Sequence, residues 1–166
     1  TYLRLAITDR CNLRCRYCMP DQGAKFVPYR EILRYEEMVH LVRIFAGLGI
    51  NKLRITGGEP FARRDCISFM QKIIGIDGVT GLFVTTNGIA TASHLDDLKR
   101  MGISGVNLSL DTLDPQYFKS LTRHDLLDNV LATMHGCLER EIPLKINAVV
   151  LEETTDENIL KIAGLA

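Results

Sequence analysis

Lys52-Leu53-Arg54-Ile55-Thr56-Gly57-Gly58-Glu59-Pro60 alternates apolar Leu53 and Ile55 with polar neighbours, then breaks into two glycines, a glutamate and a proline. A short period-two run bounded by turn residues is a half-buried strand. The following 65–74 stretch has helical spacing, so strand, loop and helix form one βα unit. That unit recurs. Strands are expected over 2–8, 52–56, 81–85, 105–110 and 144–150, with helices over 35–48, 65–74, 94–101 and 126–138. Met38, Leu41, Val42, Phe45 and Leu48 share one face of the 35–48 helix, which Gly49 stops. A short helix is expected to begin at Pro115 and a last one after Thr155. Strands alternating with helices, without hairpin signals, make a parallel α/β sheet. Right-handed crossovers leave two forms, a doubly wound sheet or a barrel-like curl. Five strands leave a barrel at least one strand short.

Between the first strand and the first helix lies Cys11-Asn12-Leu13-Arg14-Cys15-Arg16-Tyr17-Cys18-Met19-Pro20. Thiolates at Cys-x3-Cys-x2-Cys spacing can turn towards one metal centre. A structural zinc site closes with four ligands, whereas three leave a reactive vacancy. The nearest histidine is His40, and no further cysteine follows before it. Iron–sulfur clusters are usually held by four thiolates, so Cys11, Cys15 and Cys18 on a four-iron cluster would leave one iron open. A zinc knuckle in an interaction module stands as the alternative.

The 166 residues amount to one domain, or to a piece of a larger protein. Hydrophobic content of 46% with 24% charged residues is globular, and no apolar run is long enough for a membrane span. Twenty acids balance twenty bases, so no bulk field favours nucleic acid or an anionic membrane. The chain begins at Thr1 without a methionine and shows no signal-peptide pattern, which decides nothing about a removed leader. Five cysteines without framework spacing indicate a reducing compartment, with Cys66 and Cys137 as small residues packed in helices.

Strand alternation also predicts an unusual sheet face. With Leu3, Leu5, Leu53, Ile55, Val106, Leu108, Leu110, Leu144 and Ile146 towards the helices, the other face carries Arg4, Arg54, Thr56, Asn107, Ser109, Asp111, Lys145 and Asn147. Barrel interiors are ordinarily filled with branched apolar residues. Arg4 taken alone reads equally as a solvated strand end, and Lys145 as a side chain reaching past the rim. Three cations on one face of three strands point to an anionic ligand, and phosphate suits both the Arg fork and the Lys point charge. Gly57-Gly58-Glu59-Pro60 closes its strand at the end where barrels build active sites.

The cysteine array with Tyr17 before its third cysteine, followed by Gly57-Gly58-Glu59, resembles the radical S-adenosylmethionine (radical SAM) enzymes. Within them, 8–15, 53–60, 85–88, 107–113 and 145–147 resemble the GTP 3′,8-cyclases of molybdenum cofactor biosynthesis. The resemblance implies a partial (β/α)6-type TIM-like barrel. It also implies a [4Fe–4S] cluster on Cys11, Cys15 and Cys18, and S-adenosylmethionine held by Tyr17, Gly57, Gly58, Glu59 and Ser109. GTP contacts would fall on Arg4, Arg54, Thr85 and Lys145. The implied reaction, of the lyase class, is reductive cleavage of S-adenosylmethionine to a 5′-deoxyadenosyl radical. That radical takes the 3′ hydrogen of GTP, and attack on C8 follows. No side chain is assigned as an acid or base. Implied partners are GTP and a flavodoxin- or ferredoxin-like electron donor, with homodimer formation left open. The implied compartment is the bacterial cytoplasm or the mitochondrial matrix. The 150–155 stretch lacks the Arg-Gly pair the resemblance would place after the fifth strand. The sixth strand and a C-terminal cysteine trio are also missing, so residues 1–166 are expected to form an incomplete core domain. The rival enzymatic reading is a radical SAM enzyme acting on a peptide or another small molecule.

Overall fold

A computed structural model describes residues 2–20 and 22–165. Five strands, β1 (Tyr2–Ala6), β2 (Lys52–Thr56), β3 (Gly81–Thr86), β4 (Gly105–Ser109) and β5 (Leu144–Asn147), form one parallel sheet in strictly sequential order. A doubly wound sheet reverses its order at a switch point. This one never reverses, so right-handed crossovers place the helices on one face and leave the other open, as in part of a TIM-like barrel.

The helices are α1 (Tyr35–Gly47), α2 (Cys66–Ile74), α3 (Leu95–Arg100), α4 (Pro115–Thr122), α5 (Leu127–Glu139) and α6 (Asp156–Ala163). Asp114 accepts a hydrogen bond from the Tyr117 N–H (2.8 Å), with Pro115 at the first helical position of α4. Thr155 accepts from Asn158 N at 3.3 Å and caps α6. The outer sheet face packs Leu53, Ile55, Leu82, Val84 and Val106 against Met38, Val42, Phe69, Met70, Ile73, Leu95 and Leu98. Each such side chain contributes about 1.5–3 kcal/mol when fully buried. A second cluster joins Leu108 and Leu110 to Phe118, Leu127, Val130 and Met134. Cys66 and Cys137 are buried in α2 and α5, as their helical placement suggests.

Several boundaries differ from the sequence pattern. Leu48 lies just beyond α1 and is 75% exposed, so the apolar stripe ends one turn earlier, at Phe45. β5 stops at Asn147 because the Val149 N–H is taken by the Asp111 carboxylate (2.8 Å) and not by a neighbouring strand. Short 3-10 turns at Tyr29–Glu31, Pro60–Ala62 and Thr91–His94 have no periodicity to announce them. Among the described residues, no helix is long and apolar enough to cross a membrane.

Candidate functional site

The strand registers assemble the open face. Arg4 stands beside Arg54, and Arg54 beside Phe83, which neighbours Gly105. Two residues further along each strand, about 7 Å towards the C-terminal ends, Thr85, Asn107 and Lys145 form a second row. Ser109 and Asn147 form the next row. Arg4, Arg54 and Lys145, predicted from alternation to seek phosphate, and Thr85, implied by the resemblance, therefore share one open floor. Thr85 lies within β3. Lys52 shares this face at its far end, beside Tyr2. Among the described residues, none of Arg4, Lys52, Arg54 and Lys145 has an ion-pair partner. The Arg54 guanidinium instead lies 5.4 Å from the Tyr2 ring centre and 5.6 Å from that of Phe83. Aromatic faces attract a cation without neutralising it, so the floor keeps its positive charge.

The rim at the C-terminal strand ends is built differently. The cysteine loop is anchored by buried Leu13 and Met19, and it docks on the end of α4. Arg14 N donates to Thr122 O (3.1 Å) and Arg16 N to Leu121 O (2.9 Å). These bonds satisfy carbonyls that a helix end leaves open. Cys18 N and Met19 N both donate to Cys15 O, turning Cys15 and Cys18 within one tight bend. The Cys11 sulfur accepts from Leu13 N at 3.4 Å and from Asn87 Nδ2 at 3.7 Å. Cys11 and Cys15 are half-buried, and Cys18 is exposed.

The donor chemistry fits a cluster. Burial pushes the Cys15 thiol up to about 11, and the Cys11 charge adds to that shift. Burial also raises Cys11, with Glu59 and Cys18 contributing after it. Thiols that resist joint ionisation need a cationic centre to hold them as thiolates, and donors aimed at sulfur favour the thiolate too. Among the described residues, no three His, Cys, Asp or Glu side chains converge closely enough for a single metal ion. A four-iron cluster spreads its ligands more widely.

Gly57 and Gly58 are where the second loop crosses the first. Gly57 has φ +152°, and a Cβ there would lie 2.4 Å from Thr8 O. At Gly58 a Cβ would lie 2.3 Å from Arg10 O. Gly58 N donates to Thr8 O and Glu59 N to Arg10 O, each at 2.7 Å. The two glycine carbonyls accept no hydrogen bond among the described residues, which leaves them available to an ammonium group.

The Glu59 side chain turns away from the rim. It is fully buried, and its carboxylate accepts from Phe61 N (3.1 Å), the Thr86 hydroxyl (2.8 Å) and Asn87 N (2.7 Å). Burial raises its pKa while these donors oppose the rise. The carboxylate fastens the β2 loop to the end of β3, and only its backbone stays at the rim.

Two further residues organise the rim without having been singled out. Asn87 donates through Nδ2 to Asn12 Oδ1 (2.7 Å) and reaches Cys11, so it bridges the cysteine loop to Glu59. Asp111 accepts from the Tyr17 phenol (2.6 Å) and from Val149 N, tying the cysteine loop to β4 and the exit of β5. The Asn87-Gly88 pair reads as a turn, and Asp111 reads as one more polar residue. Neither pattern signals a crosslink. Burial first, then Asp111, holds the Tyr17 phenol well above the ordinary tyrosine range.

Comparison with known proteins agrees with this geometry. The radical SAM superfamily model matches residues 5–166. A GTP 3′,8-cyclase of Thermodesulfovibrio yellowstonii is 43% identical over 164 residues, covering 98% of this chain and 51% of that protein. The mitochondrial GTP 3′,8-cyclase of Arabidopsis thaliana is 41% identical over 160 residues, covering 96% and 41%. The chain thus spans about half the length of the curated relatives it matches. Among solved structures, Streptococcus suis SuiB superposes with a TM-score of 0.79 at 22% identity, over 98% of this chain and 36% of that one. Native anSMEcpe with bound AdoMet superposes with a TM-score of 0.76 at 19% identity, over 96% and 47%. These two share the fold. Enzymes of the superfamily use a [4Fe–4S] cluster and S-adenosylmethionine. A sequential parallel sheet with a three-thiol loop at its C-terminal rim, matched over nearly its whole length, places this chain in the radical SAM superfamily.

Proposed function

We propose that residues 1–166 form the radical SAM core domain of a GTP 3′,8-cyclase, the enzyme that opens molybdenum cofactor biosynthesis. The observation that carries this reading is the floor: four cations without ion-pair partners among the described residues, below a rim built to hold a cluster. The identity of 41–43% to the cyclases supports the same substrate.

Cys11, Cys15 and Cys18 would ligate the cluster, leaving one iron for the cofactor. When bound, the cluster and S-adenosylmethionine supply a one-electron cleavage of the sulfonium, which delivers a 5′-deoxyadenosyl radical able to take the ribose 3′ hydrogen. The Gly57 and Gly58 carbonyls would accept from the methionyl ammonium, and Tyr17 and Ser109 would border the same cofactor. Arg4, Arg54 and Lys145 hold the triphosphate, and the Thr85 hydroxyl adds a hydrogen bond. The protein's work is orientation and exclusion of water, because the cofactor carries the hard chemistry. The electron comes from an external donor of flavodoxin or ferredoxin type. A reducing compartment, bacterial cytoplasm or mitochondrial matrix, suits five free thiols and the mitochondrial relative.

The test is anaerobic. The chain is reconstituted with iron and sulfide, reduced with dithionite, and assayed for 5′-deoxyadenosine from S-adenosylmethionine with and without GTP. Product that disappears in Cys18→Ala, rises with GTP, and loses its GTP response in Arg54→Ala is the expected result. Cleavage that ignores GTP, with no GTP binding by calorimetry, would point to a different substrate.

A further inference from the structure

The concave floor contains a notch of about 190 Å³ between β2, β3, β4 and β5, lined by Arg54, Phe83, Gly105, Asn107 and Lys145 among others. It exists because β4 places a glycine beside Phe83. A Cβ at Gly105 would come within 3.2 Å of the Phe83 ring and of Pro143 O. Two residues further along β4, Asn107 lies between Thr85 and Lys145.

Asn107 is 4% exposed, yet its Nδ2 has no hydrogen-bond partner among the described residues. The Arg54 Nε is buried and, among the same residues, equally without a partner. Buried donors are nearly always satisfied, and an exception calls for an explanation. Here two exceptions line one notch, beside the Lys145 ammonium and with no carboxylate among the lining residues. A shared partner for both donors is an acceptor small enough for the notch, and the adjacent Lys145 favours an anionic one. A phosphoryl oxygen has that chemistry.

We propose that Asn107 is a specificity-determining residue whose side-chain amide donates to a phosphoryl oxygen of the substrate, alongside the Arg54 Nε–H and the Lys145 ammonium. The assignment rests on the nucleotide reading above and deepens it. The cations supply attraction, but a flexible lysine fixes no direction. An asparagine buried on a central strand offers its donor in one orientation. Asn107 thus decides which oxygen sits in the notch, and so how far the ribose stands from the rim.

The test uses the anaerobically reconstituted chain. Affinities for GTP, inorganic tripolyphosphate and S-adenosylmethionine are measured by calorimetry for the wild type, Asn107→Asp and Asn107→Ser. Asn107→Asp keeps the size and turns the donor into an anion. It is expected to weaken GTP and tripolyphosphate by at least about tenfold, with Asn107→Ser losing less and S-adenosylmethionine binding unchanged in both. Thermal melts check the fold, and Asn107→Ser carries the comparison if the aspartate variant does not fold. Unchanged tripolyphosphate and GTP affinities in a folded variant would overturn the assignment while the nucleotide reading stands. Parallel loss of S-adenosylmethionine would overturn it too, by exposing a merely structural role. A wild-type chain that binds neither GTP nor tripolyphosphate would remove the assignment together with the reading beneath it.

Discussion

The rim and the floor of the open face are both polar, and they handle polarity in opposite ways. At the rim nearly every group is answered from within the protein. Glu59 takes three donors, Asn87 bridges two loops, and Asp111 joins Tyr17 to Val149. On the floor Arg4, Lys52, Arg54 and Lys145 have no ion-pair partner among the described residues, and the donors at Arg54 Nε and Asn107 Nδ2 have no acceptor. The rim is thus a finished scaffold that presents three thiols, and the floor is completed only by a ligand. Substitutions at the rim should therefore act on stability, and substitutions on the floor on binding.

The largest effect is expected at the crossing of the two rim loops. Gly58→Ala forces a methyl to 2.3 Å from the Arg10 carbonyl, where both partners are backbone and neither can swing away. A loss of about 3 kcal/mol, the upper end of ordinary overpacking, is expected in urea unfolding. A variant as stable as the wild type would mean that the loops are not in contact. Glu59→Gln follows. A glutamine presents an amide N–H where Phe61, Thr86 or Asn87 also donates, so at least one donor loses its acceptor. The expected cost is about 2 kcal/mol, with the affinity for tripolyphosphate unchanged because the floor is untouched.

The floor was more legible in the sequence than the rim's internal wiring, for a physical reason. Strand alternation is a local rule, so Arg4, Arg54 and Lys145 could be placed on one face from their own neighbours. Parallel pairing in sequential order then brings them together. The sheet itself was legible in the same way, apart from ends such as β5, which is cut short by an Asp111 side chain 38 residues away. Glu59 shows where local reading stops. Its motif marks a ligand contact through the backbone, while the side chain turns inward to donors at the end of β3 that no period or spacing reveals. The burial of Asn107 likewise depends on strands 20 or more residues away in sequence, between which β4 is sandwiched.

A smaller effect probes the dry ground behind the rim. Cys66 opens α2, and burial, followed by the charge of Glu59, pushes its thiol up to about 12 from an ordinary 9.0. The unfolded chain releases this proton near pH 9, while the folded chain keeps it until about pH 12. The stabilisation is therefore complete below pH 9 and is lost as pH rises towards 12. Between pH 8 and about pH 9.7 the wild type should lose about 1 kcal/mol more than Cys66→Ala, read from urea midpoints. Equal losses would show that water reaches the thiol and that the rim is not sealed from behind.

The smallest change in stability is expected on the floor, and it gives the contrast its sharpest test. Arg54→Ala removes a guanidinium held, among the described residues, between the Tyr2 and Phe83 rings, contacts contributing about 0.5–1 kcal/mol each at most when partly exposed. It also removes a buried Nε without an acceptor and relieves repulsion from the adjacent Arg4, both of which favour the variant. These opposing terms leave a net change within about 0.5 kcal/mol. GTP affinity should nonetheless fall by about tenfold to a hundredfold, the loss of one charge-assisted hydrogen bond. An arginine whose removal unfolds the chain but spares GTP would belong to the scaffold. The division between a self-satisfied rim and a ligand-completed floor would then have to be redrawn through β2.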